Sequence, residues 1–334
     1  MTIDLGALRR NVKTLLRGLD GSELWAVVKA NGYGHGAVEC ADAALAAGAA
    51  AVCTATVPEA LELRAELPTA RILVLGPASS REIARARETD LALVVSGDDI
   101  PESVAVHVKI DTGMGRWGGS ELRSPTREVV GVMTHLATAD GDLAYARQQL
   151  ERFREATEPF AHLTRHAANS AATLRLPESH FDAVRCGIAI YGLSPFGTDA
   201  GDDGLEPVLA WTTEIALCKL LRAGESTGYG RRYVAGRDTW IGILPVGYAD
   251  GFRRDLTGTE VRVAGERRRV VGTISMNATA VELDRELPRG TPVTIVGPGV
   301  PLEDHAAVAD TITYELACGI GAASARARRV VVDS

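Results

Sequence analysis

Eight short apolar runs, separated by segments with helical patterning, constrain the fold of this chain up to about residue 190. The first run, residues 24–28, has the length and β-branched content of a strand that is buried on both faces. Parallel strands with intervening helices predict an α/β fold, here a (β/α)8 TIM-like barrel with its active site at the carboxyl ends of the strands. The predicted strands cover residues 24–28, 50–55, 71–75, 91–95, 104–110, 129–134, 162–166 and 181–186.

Two connections between these strands contain little helical sequence. Residues 96–103 leave little room for a helix, and residues 117–128 include Gly and Pro, which would shorten one. We therefore expect a barrel that is trimmed at these two points.

The pattern changes at about residue 205 to short alternating runs separated by Gly and Pro. Such runs predict a mainly β domain. The expected domains are residues 1–204 and residues 205–334, and residues 2–5 could add a strand to the second. The clearest runs cover residues 239–244, 260–263, 269–274 and 292–296.

Lys29 stands where the first predicted strand ends and a Gly-rich turn begins, since Asn31 and Gly32 stop the strand. The chain has 36 basic residues, and only Lys13, Lys29, Lys109 and Lys219 are lysines. A guanidinium cannot form an imine, whereas a desolvated lysine amine attacks a carbonyl. Lys29 is therefore a Schiff-base candidate, although an isolated lysine at a strand end is more often structural.

Composition argues against several other classes of protein. The net charge of −7 disfavours a nucleic-acid partner, and no apolar run is long enough to span a membrane. The first residues lack the features of a signal peptide, so we expect a cytoplasmic protein. The five scattered cysteines indicate neither disulfides nor zinc, and we expect no metal site from His162 and His166.

The segment around Lys29, residues 26–36, resembles the cofactor-binding lysine motif of the alanine racemases, which use pyridoxal 5'-phosphate. Further matching segments follow in the order found in that family, which makes the resemblance specific and extends it along nearly the whole chain. They cover residues 109–116, 133–140, 166–172, 184–192, 228–230, 245–251 and 272–276.

The predicted barrel and the resemblance together indicate a cofactor site. A barrel phosphate site uses the loops after strands seven and eight, where Asn169 and Ser170, and then Gly187 and Ile188, occur. The resemblance implies that Lys29 binds the cofactor covalently. It further implies that Tyr33 contacts the phosphate, Arg185 faces the pyridine nitrogen, and His135 orders this arginine.

Racemisation requires proton removal on one face of Cα and delivery on the other, which calls for two opposed groups. The resemblance implies that these are Lys29 and Tyr229, the latter from the neighbouring subunit of a homodimer. It also implies that Met276 helps to bind the substrate, and Lys109 matches a family lysine that is often carbamylated. Arg116, with its planar fork of donors, could bind the substrate carboxylate or the ring oxygen of the cofactor.

Two positions depart from the family pattern. Asn277 stands where the family usually has aspartate, and Ala322 stands where it often has a second tyrosine that reaches the phosphate. These changes bear on cofactor affinity and rate more than on the type of reaction.

The predicted function is conversion of L-alanine to D-alanine, which would supply peptidoglycan precursors. One alternative is racemisation of another small amino acid such as serine. The other is a non-catalytic protein that binds pyridoxal phosphate, but such proteins are single barrels and would lack the β domain that carries Tyr229 and Met276.

Overall fold

The computed structural model describes residues 1–97, 99–122, 125–320 and 328–334. The chain divides into two compact units. The barrel unit comprises Leu5–Phe196 and Ala200–Glu206, and the β unit comprises Met1–Asp4, Gly197–Asp199 and Pro207–Ser334. The first strand, β1 (Thr2–Asp4), belongs to the β unit although it precedes the barrel in sequence.

The eight parallel strands of the barrel unit close in sequence order, which confirms the predicted fold class. Trp25 shows the closure, because it pairs with Ala51 of the next strand and with Arg185 of the last strand. The strands are β2 (Glu23–Val27), β3 (Ala51–Thr54), β4 (Ile72–Val74), β5 (Ala92–Val95), β6 (Val106–Lys109), β7 (Val129–Met133), β8 (Thr164–His166) and β9 (Ala183–Cys186).

Side chains cap the first turns of several helices around the barrel. Thr56 and Ser79 each form a capping box with the glutamate three residues later, Glu59 and Glu82. The helices are α1 (Leu5–Arg17), α2 (Ala37–Ala46), α3 (Val57–Glu66), α4 (Ser80–Glu88), α5 (Leu143–Thr157) and α6 (Ser170–Arg175). Short 3-10 helices cover Glu158–Phe160, Pro177–Ser179, Ile188–Tyr191 and Ala200–Asp203.

The two connections predicted to be short contain no helix in their described residues, so the trimmed barrel is confirmed. The loop after β6 is ordered instead by Asp111, whose carboxylate accepts hydrogen bonds from the N–H groups of Gly113, Met114 and Gly115. Its ends meet where the Asp111 N–H donates to Gly119 O at 2.8 Å.

The β unit is built on a nine-stranded sheet in the order β11-β14-β17-β16-β15-β18-β10-β1-β19, with a separate β12–β13 pair. Strand β1 pairs with β10 antiparallel and with β19 parallel. These strands are β10 (Leu209–Glu214), β11 (Leu217–Leu221), β12 (Ser226–Thr227), β13 (Tyr233–Val234), β14 (Thr239–Leu244), β15 (Glu260–Val263), β16 (Glu266–Val271), β17 (Thr279–Leu283), β18 (Pro292–Val296) and β19 (Val330–Val332). Its helices are α7 (Leu302–Val308) and α8 (Thr313–Gly319), and its 3-10 helices are Tyr229–Arg231, Tyr248–Asp250 and Arg254–Leu256.

Candidate active site

Lys29 lies at the carboxyl end of β2 and is followed by a left-handed turn. The φ angles of Ala30, Asn31, Gly32 and Tyr33 are 53°, 51°, 61° and 52°. Consecutive left-handed residues are costly for residues other than glycine, so their neighbours must hold them in place. The Ala30 N–H donates to Glu59 Oε1 at 2.7 Å, and Asn31 O accepts from the Gly36 N–H at 2.8 Å.

The turn places the buried Tyr33 ring against the loop that follows β9. A Cβ atom added to Gly187 would lie 2.3 Å from Tyr33 Oη, so only glycine leaves room for this hydroxyl. The His35 ring stacks on Tyr191 at 4.5 Å, and Tyr191 Oη donates to Val27 O at 3.1 Å. The loops after the first and last barrel strands therefore converge at Tyr33.

Ser170 joins the loops after β8 and β9. Its Oγ accepts hydrogen bonds from the N–H groups of Gly187 (3.1 Å) and Ala189 (3.3 Å). The Asn169 side chain caps α6 by accepting from the Ala172 N–H at 3.0 Å, and Ile188 is fully buried. The loops after β8 and β9 thus converge on Ser170, and a serine hydroxyl that accepts two hydrogen bonds can still donate its proton to an anion.

Arg185 is buried within the barrel, where several acceptors fix its guanidinium. Its Nη2 donates to Thr134 O (2.9 Å), Ala167 O (3.1 Å) and His135 Nδ1 (3.3 Å), and its Nη1 donates to His166 Nδ1 (2.8 Å). Burial lowers the pKa of Arg185 to about 10, so it stays protonated at neutral pH.

The two histidines beside Arg185 can accept these hydrogen bonds because they are neutral. Burial, and then the charge of Arg185, holds the pKa of His135 and of His166 well below the usual value. The structure thus brings His135 to Arg185, as the resemblance implies, and adds His166 as a closer partner.

Lys109 and Arg116 both lie near the indole ring of Trp117. Lys109 Nζ is 5.9 Å from the centroid of the Trp117 ring, and Arg116 Cζ is 5.3 Å from it. Burial, followed by the charge of Arg116, lowers the pKa of Lys109 to about 8. A substantial fraction of this amine is therefore neutral near pH 8.

Tyr229 and Met276 belong to the β unit, and both side chains are exposed, at 73% and 54%. Their backbones are held firmly. Thr273 Oγ1 donates to Tyr229 O at 2.9 Å, and the Ala249 N–H donates to Met276 O at 3.0 Å. Asn277 is exposed beside Met276, whereas Ala322 lies outside the described residues.

Among the described residues, no cluster of three or more His, Cys, Asp or Glu side chains could hold a metal ion. His162 is exposed and precedes β8, whereas His166 at the end of that strand is fully buried. Within the same described part of the chain, no helix has the length and apolar character needed to cross a membrane.

Comparison with known families assigns both parts of the chain. The profile described as "Alanine racemase, N-terminal domain" matches residues 3–195, and that described as "Alanine racemase, C-terminal domain" matches residues 208–330. The chain belongs to the alanine racemase family. The family and the class of enzyme predicted from the sequence are therefore confirmed.

Individual members of the family are similar over their full length. Alanine racemase 1 of Bacillus subtilis is 41% identical, over 99% of this chain and 92% of that protein. The alanine racemase of D-cycloserine-producing Streptomyces lavendulae superposes with a TM-score of 0.92 at 38% identity, covering 100% of this chain and 96% of the other. That of E. faecalis gives a TM-score of 0.91 at 36% identity, with coverages of 99% and 97%.

Sequence reasoning missed His107, which lies on β6 and contacts His166 inside the barrel. Its neighbours in sequence, Val106 and Val108, are fully or almost fully buried, so the whole strand has the pattern of core. The one sign of His107 in the sequence was that it is a polar residue within an apolar run. Its pairing with His166 could not be predicted, because it depends on the register of the barrel.

Proposed function

We propose that this protein interconverts L-alanine and D-alanine with pyridoxal 5'-phosphate. The observation that carries the proposal is the arrangement around Arg185, a protonated guanidinium held by neutral histidines inside a barrel. Because a guanidinium cannot accept a hydrogen bond, it would keep the cofactor's ring nitrogen unprotonated. This should favour simple proton exchange at Cα over transamination.

The residues of the barrel unit fit this cofactor. Lys29 would hold it covalently, Ser170 and the backbone around Gly187 and Ile188 would bind its phosphate, and Arg185 would face its ring nitrogen. The space that Gly187 leaves for the Tyr33 hydroxyl suits a further phosphate contact. When bound, the cofactor supplies an electron sink that makes the α-proton of an amino acid acidic.

Two residues would move the proton. Lys29 Nζ would act on one face of Cα and Tyr229 Oη on the other, so a proton removed on either side is replaced from the opposite side. The exposure of Tyr229 and Met276 in the β unit fits side chains that complete the active site of a second subunit. We therefore include a homodimer with shared active sites in the proposal.

Arg116 and Met276 would bind the substrate, Arg116 through its planar fork of donors and Met276 through its backbone. If Lys109 were protonated, Lys109 and Arg116 would place two cations beside the Trp117 ring. Its lowered pKa makes the neutral amine available to attack carbon dioxide, forming a carbamate and releasing a proton. The carbamate would be an anion beside Arg116. A role in peptidoglycan supply and a cytoplasmic location stay predictions.

Chiral analysis of L-alanine incubated with the full chain and pyridoxal phosphate tests the proposal. We expect D-alanine to accumulate to an equimolar mixture with the wild type and with Lys13→Ala, a control that removes an exposed lysine. Lys29→Ala should be inactive because it lacks both the covalent anchor and one base. Absence of D-alanine with cofactor-loaded wild type would contradict the proposal.

The same assay separates the alternatives. L-serine serves as a second substrate, and faster conversion of serine than of alanine would reassign the substrate. Binding of pyridoxal phosphate with no racemisation of any small amino acid would indicate a non-catalytic protein. The β unit argues against that outcome, because it presents Tyr229 and Met276 on backbone that is firmly held.

A further inference from the structure

Two buried histidines extend inward from Arg185. His166 Nδ1 is 2.8 Å from Arg185 Nη1, and His166 Nε2 is 2.9 Å from His107 Nδ1. His166 is fully buried, and His107 is 5% exposed. We call His107 and His166 the histidine pair.

The hydrogen bonds on the two sides of His166, to Arg185 and to His107, together define the proton positions along the pair. Arginine has only donors, so His166 Nδ1 must accept, and a neutral His166 then carries its proton on Nε2. That N–H donates to His107 Nδ1, which leaves the proton of His107 on its own Nε2. Both rings are neutral, since burial, above all, lowers the pKa of His107 to about 3 and that of His166 well below normal.

The surroundings hold both rings in this arrangement. The Trp25 ring lies 4.6 Å from His166 and 5.5 Å from His107, measured between centroids. Gly131 on β7 provides the space for His107, because an added Cβ atom would lie 2.1 Å from His107 Nδ1 and 2.8 Å from Thr164 O. The backbone dihedrals of Gly131 do not require glycine, so the need for space explains this residue.

We propose that His107 is a positioning residue for Arg185. By accepting from His166 Nε2, it selects the tautomer that presents the Nδ1 lone pair to the guanidinium. Without this acceptor, His166 can place its proton on Nδ1, where it would oppose an arginine donor. The inference rests on the proposed function insofar as Arg185 faces the cofactor's ring nitrogen.

Two substitutions separate the hydrogen bond from packing. His107→Asn keeps an acceptor at the same distance along the side chain, because Asn Oδ1 and His Nδ1 are both bonded to Cγ. His107→Leu fills much of the space but has no acceptor. His180→Leu is the matched control, since His180 is also buried in the barrel unit and its hydrogen bond goes to Thr173 O rather than toward Arg185.

The primary readout is the ¹⁵N spectrum of histidine-labelled full-length protein, recorded with and without pyridoxal phosphate. The His166 resonances are assigned by their loss in His166→Gln. We expect an unprotonated Nδ1 and a protonated Nε2 in wild type, His107→Asn and His180→Leu. In His107→Leu and Gly131→Ala, we expect protonation to shift toward Nδ1.

Racemisation is the second readout. We expect kcat to fall about tenfold in His107→Leu, the loss typical of one hydrogen bond in a network, and to recover at least partly in His107→Asn. Unchanged His166 resonances in a folded His107→Leu protein would overturn the inference. An equal loss of kcat in His107→Leu and His107→Asn would overturn it as well. The spectra do not depend on turnover, so failure of the proposed function can be distinguished from failure of this inference.

Discussion

Position 187 requires glycine, because the Tyr33 hydroxyl occupies the space where a Cβ atom would lie. We expect Gly187→Ala to displace the tyrosine ring and to weaken binding of pyridoxal phosphate by about tenfold, the equivalent of one hydrogen bond to a charged group. A fluorescence titration with the cofactor measures the dissociation constant.

Gly141→Ala is the control for this change. Nothing lies within 4 Å of the added Cβ atom at Gly141, and the backbone there has no positive φ. Its affinity should equal that of the wild type. Equal affinities for all three proteins would show that Tyr33 is not needed for cofactor binding.

At the scale of single residues, the sequence predicted positions whose chemistry is unusual for their surroundings. Lys29 is one of few lysines in an arginine-rich chain, whereas Arg185 was predicted from the resemblance of residues 184–192 to the family. His107 and Gly131 escaped because their importance lies in what faces them across the barrel. Neither the ring that His107 contacts nor the space that Gly131 leaves can be derived from local sequence.

At the scale of an element, the left-handed turn after Lys29 leads to a prediction about the free energy of unfolding. Ala30 is exposed and has a φ of 53°, a conformation that costs an L-residue about 1–2 kcal/mol. Ala30→Gly removes that cost. Glycine also raises the conformational entropy of the unfolded chain, which lowers the free energy of unfolding by about 0.5–1 kcal/mol. We therefore expect the free energy of unfolding to stay level or rise by up to about 1.5 kcal/mol.

Denaturant unfolding of Ala30→Gly beside Ala84→Gly measures this difference. Ala84 is exposed in the interior of α4, where glycine should lower the free energy of unfolding by about 1 kcal/mol. Destabilisation of similar size at both positions would show that the turn imposes no strain on Ala30.

The elements themselves were largely predictable. All eight barrel strands were located, as were the two connections whose described residues contain no helix, because buried parallel strands and Gly- or Pro-rich connections leave clear local patterns. The left-handed turn was not predicted beyond the stop at Asn31 and Gly32. Its handedness depends on supports outside the segment, such as Glu59 on α3.

At the scale of the whole molecule, mixing inactive variants tests whether active sites are shared. Lys29→Ala and Tyr229→Phe would each impair every site of their own homodimer. A mixed dimer would have one site with both native residues if Tyr229 acts in the partner's site. We expect co-refolded or co-expressed variants to recover about a quarter of wild-type activity, as random pairing of independent sites implies.

This activity is measured by chiral analysis of alanine, with each variant alone and a wild-type and Lys29→Ala mixture as references. No recovery in mixtures shown to contain mixed dimers would place Lys29 and Tyr229 of one chain in the same site. Full activity of a purely monomeric protein would also contradict the proposal that active sites are shared between subunits.

Strand β1 also gives the chain a particular order of assembly during synthesis. The residues of β1 leave the ribosome before those of the barrel, yet their neighbours in the sheet, β10 and β19, follow the barrel in sequence. Thr2 pairs with Val330, so one side of β1 has no native partner until Val330 has been synthesised. The barrel strands can close long before then. The β unit is therefore completed only after the whole barrel has been synthesised, because β1 must wait for strands that follow the barrel in sequence.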